Sequence, residues 1–307
     1  MRTRWDELAA PFDQLAGAFG VGAGDRALLA KLALRGGWGA RPVTAPRLPS
    51  GVRHGVPWGL SVAMTSPAAE GVADVRVFFE AQADPPSADA TWAAADALLD
   101  GHADLAPVRA LGRGQRMWHA IGFARDRAPA FHAYVCVPDR PELAWGALDR
   151  GGYAGARLRD QLGARAKVTI VSVDLASGPA ARTKLYALVP DARPDELPYL
   201  AHDAGAHAFA HTMLGGDARI GWLVCYGFTP GAAEPTSIAL HFGAAVHGGA
   251  GFAARLAAYA RALELPAYAR AHAALAELGP VRHHFVSYQR VGDAPRVTVY
   301  FLPEAAP

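Results

Sequence analysis

Two segments of the chain place basic and phenolic side chains two residues apart. Arg182-Thr183-Lys184-Leu185-Tyr186 and Arg296-Val297-Thr298-Val299-Tyr300 each alternate a cationic or polar residue with an apolar one and finish on Tyr. Arg76-Val77-Phe78 and His132-Ala133-Tyr134 are weaker copies. Successive side chains of a strand point to opposite faces. Arg182, Lys184 and Tyr186 therefore share one face, and Thr183, Leu185 and Ala187 the other. Repeated strands of this kind predict a basic, phenol-lined interior. Arg grips phosphate bidentately and Lys adds a compact charge, so the expected guest is an anion such as diphosphate.

The elements that must position these residues recur in a fixed order. Trp5, Leu8, Phe12, Leu15 and Phe19 repeat at helical spacing, and a second helix is expected over 25–35. Strands follow over 59–65 and 74–82. The same cycle then runs through helices at 88–100 and 104–111 with strands at 117–124 and 130–137. Helices at 141–150 and 153–162 lead to strands at 168–175 and 182–189. One long helix over 194–214 precedes strands at 219–228 and 236–242. Helices at 251–263 and 266–278 precede strands at 281–290 and 296–303. The period is about 60 residues, longer than ordinary solenoid repeats. Short connections make each strand pair an antiparallel hairpin. The expected fold is α+β: five ααββ repeats forming a ten-stranded antiparallel closed barrel surrounded by helices, in one domain over 1–307. About eight strands leave an interior that side chains fill, and ten leave room for a ligand.

Composition narrows the function. The chain has 307 residues, 51% of them hydrophobic, and a net charge of only +2. No bulk basic character points to nucleic acid. No run reaches the roughly 18 apolar residues of a membrane span, and the first residues lack the apolar stretch of a signal peptide. A cytoplasmic protein, monomeric or homodimeric, is expected. Cys136 and Cys225 sit in apolar strands and read as buried thiols. His207 and His211 share a helix face without a metal-binding partner set and read as solvated; His283-His284 point to opposite faces. No metal or cofactor is expected.

The order and spacing of these strands resemble the aromatic prenyltransferases of the ABBA, or prenyltransferase-barrel, fold. The likeness is strongest to bacterial dimethylallyltryptophan synthase-like indole prenyltransferases. It rests on 171–175 through Arg182-Thr183-Lys184-Leu185-Tyr186, on His283-His284-Phe285-Val286-Ser287-Tyr288 through Arg296-Val297-Thr298-Val299-Tyr300-Phe301, and on Val56-Pro57-Trp58-Gly59-Leu60-Ser61 followed by Val75-Arg76-Val77. The resemblance implies metal-independent transfer of a prenyl group, dimethylallyl by default, from an allylic diphosphate to an indole acceptor such as tryptophan or a tryptophan-containing small peptide. It further implies a diphosphate clamp of Arg76, His132, Arg182, Lys184 and Arg296. His132 stands where the family usually has Lys, so its contact should depend on pH. A tyrosine shield of Tyr134, Tyr186 and Tyr300 would steady the allyl cation and keep water out.

One position departs from the family. A first-strand Glu that accepts the indole N–H is replaced by Gly59, which is expected to leave a hole. His119 is then expected as the proton acceptor, inward-facing if Trp118 faces out, with Glu80 as a second candidate. Gly59, Ser61, His241 and Tyr288 are expected to line the lumen, and Asp174 to be a turn-side residue near a hairpin tip. Two other readings stay open: a peptide side-chain prenyltransferase of the cyanobactin type, and a non-catalytic diphosphate-binding barrel.

Overall fold

A computed structural model describes residues 3–35, 58–66, 74–80, 92, 96, 106–124, 127–150, 152, 155–175 and 182–302. The chain opens with helices α1 (Arg4–Phe19) and α2 (Ala23–Arg35), then strands β1 (Trp58–Thr65) and β2 (Asp74–Glu80). Helix α3 (Ala106–Gly112) leads to β3 (Met117–Ala124) and β4 (Arg127–Cys136). Helices α4 (Pro141–Arg150) and α5 (Gly155–Leu162) lead to β5 (Lys167–Leu175) and β6 (Arg182–Ala192). A 3₁₀ turn (Pro194–Glu196) and α6 (Ala204–Leu214) precede β7 (Ile220–Phe228) and β8 (Ser237–Gly243). Helices α7 (Ala244–His247), α8 (Phe252–Ala262) and α9 (Pro266–Ala276) precede β9 (Arg282–Val291) and β10 (Ala294–Leu302).

The ten strands close a barrel in chain order, with β1 paired to β10, and every neighbouring pair is antiparallel. Alternation along the strands separates two environments. One face packs outward against the helices. Phe123 of β3 meets Phe12 of α1 at 5.4 Å, Phe242 of β8 stacks on Phe252 of α8 at 5.5 Å, and Tyr288 of β9 stacks on Phe209 of α6 at 5.8 Å. Val62, Val77, Ile121, Val171, Leu185, Val224 and Val299 continue this apolar layer. The other face lines the lumen.

Local chemistry sets the helix ends. Thr3 and Asp6 form a capping box at the start of α1, and Gly20 ends it in the left-handed region at φ 69°. The long helix expected over 194–214 is instead a 3₁₀ turn followed by α6. Tyr199, after Pro198, takes a positive φ of 65°, and a new helix starts where the Asp203 side chain accepts from Ala206 N at 3.0 Å. Of the helix expected over 88–100, most lies outside the described residues.

Two lumen assignments are overturned by register. Tyr288 belongs to the outer layer: it stacks on Phe209, and its hydroxyl donates to Asp203 at 3.1 Å. His119 shares its face with Met117, Ile121 and Phe123 and stacks on Phe131 at 5.4 Å. Trp118 is the inward residue, so the parity expected for this strand is reversed. Tyr288→Phe removes a buried hydrogen bond to a carboxylate. It is expected to lower stability by about 1–3 kcal/mol in denaturant titrations while leaving anion binding in the lumen unchanged; weakened anion binding would return Tyr288 to the lumen.

Candidate active site

The five hairpins deliver the lumen side chains in a regular order. Reading each second strand inward from its hairpin turn, the lumen positions are Asp74, Arg76 and Phe78 on β2; Ala130, His132 and Tyr134 on β4; and Arg182, Lys184 and Tyr186 on β6. They are Ser237, Ala239 and His241 on β8, and Arg296, Thr298 and Tyr300 on β10. The first two positions carry the charges. The third is aromatic in every repeat.

The charged layer is organised around two carboxylates. Asp174 accepts from Lys184 Nζ at 2.6 Å and from Arg182 at 2.8 Å, and His132 Nδ1 lies 2.6 Å from it. Cross-strand pairing produces this cluster, because His132 is opposite Asp174 and Asp174 is opposite Arg182. Asp74 accepts from Arg296 at 2.6 Å and from Arg76 at 3.5 Å. Asp174 sits on the turn side of its hairpin, as expected, one residue before β5 ends and opposite Arg182, yet it is only 5% exposed and faces the lumen. The four fixed cations Arg76, Arg182, Lys184 and Arg296 face these two carboxylates, an excess of two positive charges. A Cβ at Gly227 would overlap Ser237 Oγ, whereas one at Gly122 would touch Arg76 and His132 only at ordinary contact distance.

Burial and charge move these groups in opposite directions. Desolvation works against the charged form of Asp174, but Lys184, His132 and Arg182 outweigh it and hold the carboxyl well below its ordinary value. Desolvation pushes Lys184 down, with Asp174 opposing. His132 is likewise pushed down by burial, despite its bond to Asp174, and is neutral at pH 7. Its neutral ring donates Nδ1–H to Asp174.

Behind the charges runs an aromatic girdle. Trp118 stacks on Tyr134 at 5.6 Å, Tyr134 lies 6.1 Å from Tyr186, and Tyr186 lies 5.8 Å from His241. His241 is 6.1 Å from Tyr300, and Tyr300 is 6.0 Å from Phe78. Burial raises Tyr134, Tyr186 and Tyr300 above the ordinary phenol value, so they stay protonated. Such a ring of π faces can steady a cation without acting as a nucleophile.

Gly59 also faces the lumen, but it leaves no hole: a Cβ built there would overlap the Phe78 ring. Phe78 is paired with Gly59 across the β1–β2 ladder and fills the space. Ser61, 1% exposed, lies on the same face opposite Arg76 and Tyr300. The Glu80 side chain lies outside the described residues. The register thus brings together every expected clamp and shield residue, with Gly59, Ser61 and His241. The sequence reading missed Asp74, Phe78, Trp118 and the central place of Asp174. Period-two parity from Arg76 was the signal for Asp74 and Phe78, whereas Trp118 and Asp174 stand on other strands and needed the cross-strand register. Among the described residues, no group of three or more His, Cys, Asp or Glu is placed to hold a metal. His211 is exposed and pairs with Asp217 at 3.0 Å.

No protein-family model and no curated protein sequence matches the chain. Solved structures do. The chain is 27% identical to 6-dimethylallyltryptophan synthase from Micromonospora olivasterospora, crystallised with DMASPP and Trp, with 97% of each chain covered and a TM-score of 0.79. A 5-dimethylallyltryptophan synthase from Streptomyces coelicolor shares 19% identity over 98% of each chain at a TM-score of 0.82. AnaPT from Neosartorya fischeri shares 17% identity over 95% of this chain and 91% of its own, at a TM-score of 0.75. The fold is the closed ten-stranded prenyltransferase barrel, and the likenesses are to aromatic prenyltransferases that share it.

Two outcomes test this geometry. Asp174 binds no proton in the folded protein until well below the ordinary carboxylate value of about 3.9, whereas the unfolded chain binds one near it. Its contribution to stability is therefore full above that value and lost as pH falls through the folded value. Asp174→Asn should be less stable than wild type at pH 7, and urea titrations should show the gap closing toward pH 3; a constant gap would contradict the ion cluster. Gly59→Glu alone should unfold at lower urea than wild type, because Phe78 must move, and Phe78→Ala in the same chain should recover much of the loss. An unchanged midpoint for Gly59→Glu would contradict the overlap.

Proposed function

We propose that the chain transfers a dimethylallyl group from its diphosphate to the indole ring of tryptophan or a related indole, without a metal ion. One observation carries this reading: an excess of positive charge and an aromatic girdle lie at successive depths inside one closed barrel. As the allylic C–O bond breaks, negative charge grows on the diphosphate and positive charge on the prenyl carbons. Arg76, Arg182, Lys184 and Arg296, with His132, serve the first, so they favour the transition state over the ground state. Tyr134, Tyr186 and Tyr300 serve the second, joined by Phe78 and Trp118. The acceptor ring then attacks the allyl carbon from within the girdle. The likeness to a synthase crystallised with DMASPP and Trp supports this choice of substrates.

The direct test is incubation with dimethylallyl diphosphate and L-tryptophan in the presence of EDTA, with the prenyl adduct read by mass spectrometry. Binding of a thiolodiphosphate analogue with no transfer to tryptophan, indole, diketopiperazines or peptides would overturn the enzyme reading and leave an anion-binding barrel. Transfer to peptides alone would favour the cyanobactin-type activity.

Lys184→Ala should slow turnover by about 10²–10³-fold, the usual effect of removing one preorganised charge donor; unchanged kinetics would remove Lys184 from the clamp. His132 supplies a pH effect. Burial keeps it neutral in the free protein, and a bound diphosphate favours its protonated form, so binding takes up a proton. Analogue affinity should therefore tighten as pH falls from about 8 towards the ordinary His value of about 6.5. The tightening should be smaller in His132→Asn, and calorimetry in two buffers measures the proton uptake. Equal pH dependence in both proteins would remove His132 from the clamp.

A further inference from the structure

The reaction proposed above leaves a proton on the carbon that has just been alkylated, and restoring the aromatic ring requires a group to remove it. This inference rests on that reading. The usual carboxylate position is Gly59, covered by Phe78, and His119 lies on the outer face of the barrel. Of the described lumen groups, Asp174 and Asp74 are held by cations. The girdle phenols keep their protons. Burial pushes the Cys225 thiol up to about 11, so it is protonated as well. His132 belongs to the charged layer and is bonded to Asp174.

His241 differs from all of these. It occupies the third lumen position of its repeat, between Tyr186 at 5.8 Å and Tyr300 at 6.1 Å. It is 7% exposed, and its Nε2 is buried with no hydrogen-bond partner among the described residues. It is the one girdle ring that carries a basic nitrogen. We propose that His241 is the catalytic base, taking the ring proton of the alkylated acceptor on Nε2. The acceptor C–H bond breaks, its electron pair restores the aromatic ring, and the proton moves to the imidazole. From there it passes to an oxygen of the departing diphosphate, so charge and protons balance.

The low basicity of this imidazole suits the task. Burial and the nearby Lys184 push His241 down to about 3, so it is neutral before the reaction and adds no positive charge beside the allyl cation. The alkylated ring is a far stronger acid than an imidazolium, so a weak base suffices. A strongly basic group at this position would already be protonated and would oppose ionisation.

The test compares wild type, His241→Gln and His241→Phe using dimethylallyl diphosphate with L-tryptophan, either unlabelled or deuterated on the indole ring. The thiolodiphosphate analogue reports binding. Expected in both variants are unchanged analogue affinity, product formation slowed about 10²-fold or more, a primary isotope effect that wild type lacks, and diphosphate release that outruns product formation. Product formation at the wild-type rate, or no new isotope effect, in either variant overturns the assignment. Loss of analogue binding overturns it too, since His241 would then belong to diphosphate binding. The same uncoupling in Glu80→Gln, with His241 variants coupled as in wild type, would move the role to Glu80. Wild-type protein that transfers nothing overturns the prenyltransferase reading itself, whereas transfer at the wild-type rate in both His241 variants overturns only this assignment.

Discussion

Keeping basic side chains charged inside a protein is the constraint on which this structure turns. Desolvation alone drives a buried ammonium toward its neutral form and costs several kcal/mol per ion. Asp174 answers this for Lys184 and Arg182, and Asp74 does so for Arg296 and Arg76. Each carboxylate serves more than one partner, so the cluster keeps a positive excess while no cation is left alone. A dianionic or trianionic group entering the lumen meets side chains that are already charged and already oriented. That is the preorganisation a dissociating diphosphate requires.

The barrel makes the arrangement possible. Closure removes sheet edges, so the backbone of all ten strands is paired. The lumen can then be polar without exposing unpaired peptide groups. The five repeats contribute unequal parts to one design. The charged positions vary from Arg to Ala between repeats, but the third position is a ring every time: Phe78, Tyr134, Tyr186, His241 and Tyr300. Charge is concentrated at the turn-side lumen positions, while the girdle runs around the wall through contacts of about 6 Å. The outer layer of Phe123, Phe242 and Tyr288 anchors the strands to the helices and fixes the depth of each ring.

The sequence made the barrel legible because two periods coexist in it. Helical spacing in α1 and strict alternation in β6 and β10 each specify one element type, and short turns specify the hairpins. Arg182, Lys184, Tyr186 and Tyr300 were legible for the same reason, since parity within one strand fixes their common face. What spans two strands was not. Asp174 meets His132 across β4–β5, and its role appears only once the register is set. Phe78 covers Gly59 across β1–β2 in the same way. A one-residue parity error carries a side chain to the opposite face, and this is how His119 and Trp118 were exchanged. Tyr288 repeated the motif of the lumen tyrosines, but its partner is Asp203, 85 residues away in sequence.

The account stands or falls on where the diphosphate binds. A crystal structure of the protein with dimethylallyl thiolodiphosphate measures this directly. The predicted result has phosphate oxygens within hydrogen-bonding distance of Arg76, Lys184 and at least one of Arg182 and Arg296, with the prenyl carbons against Tyr134, Tyr186 and Tyr300. An analogue bound outside the barrel, or one inside it that leaves those cations engaged only with Asp74 and Asp174, would contradict it.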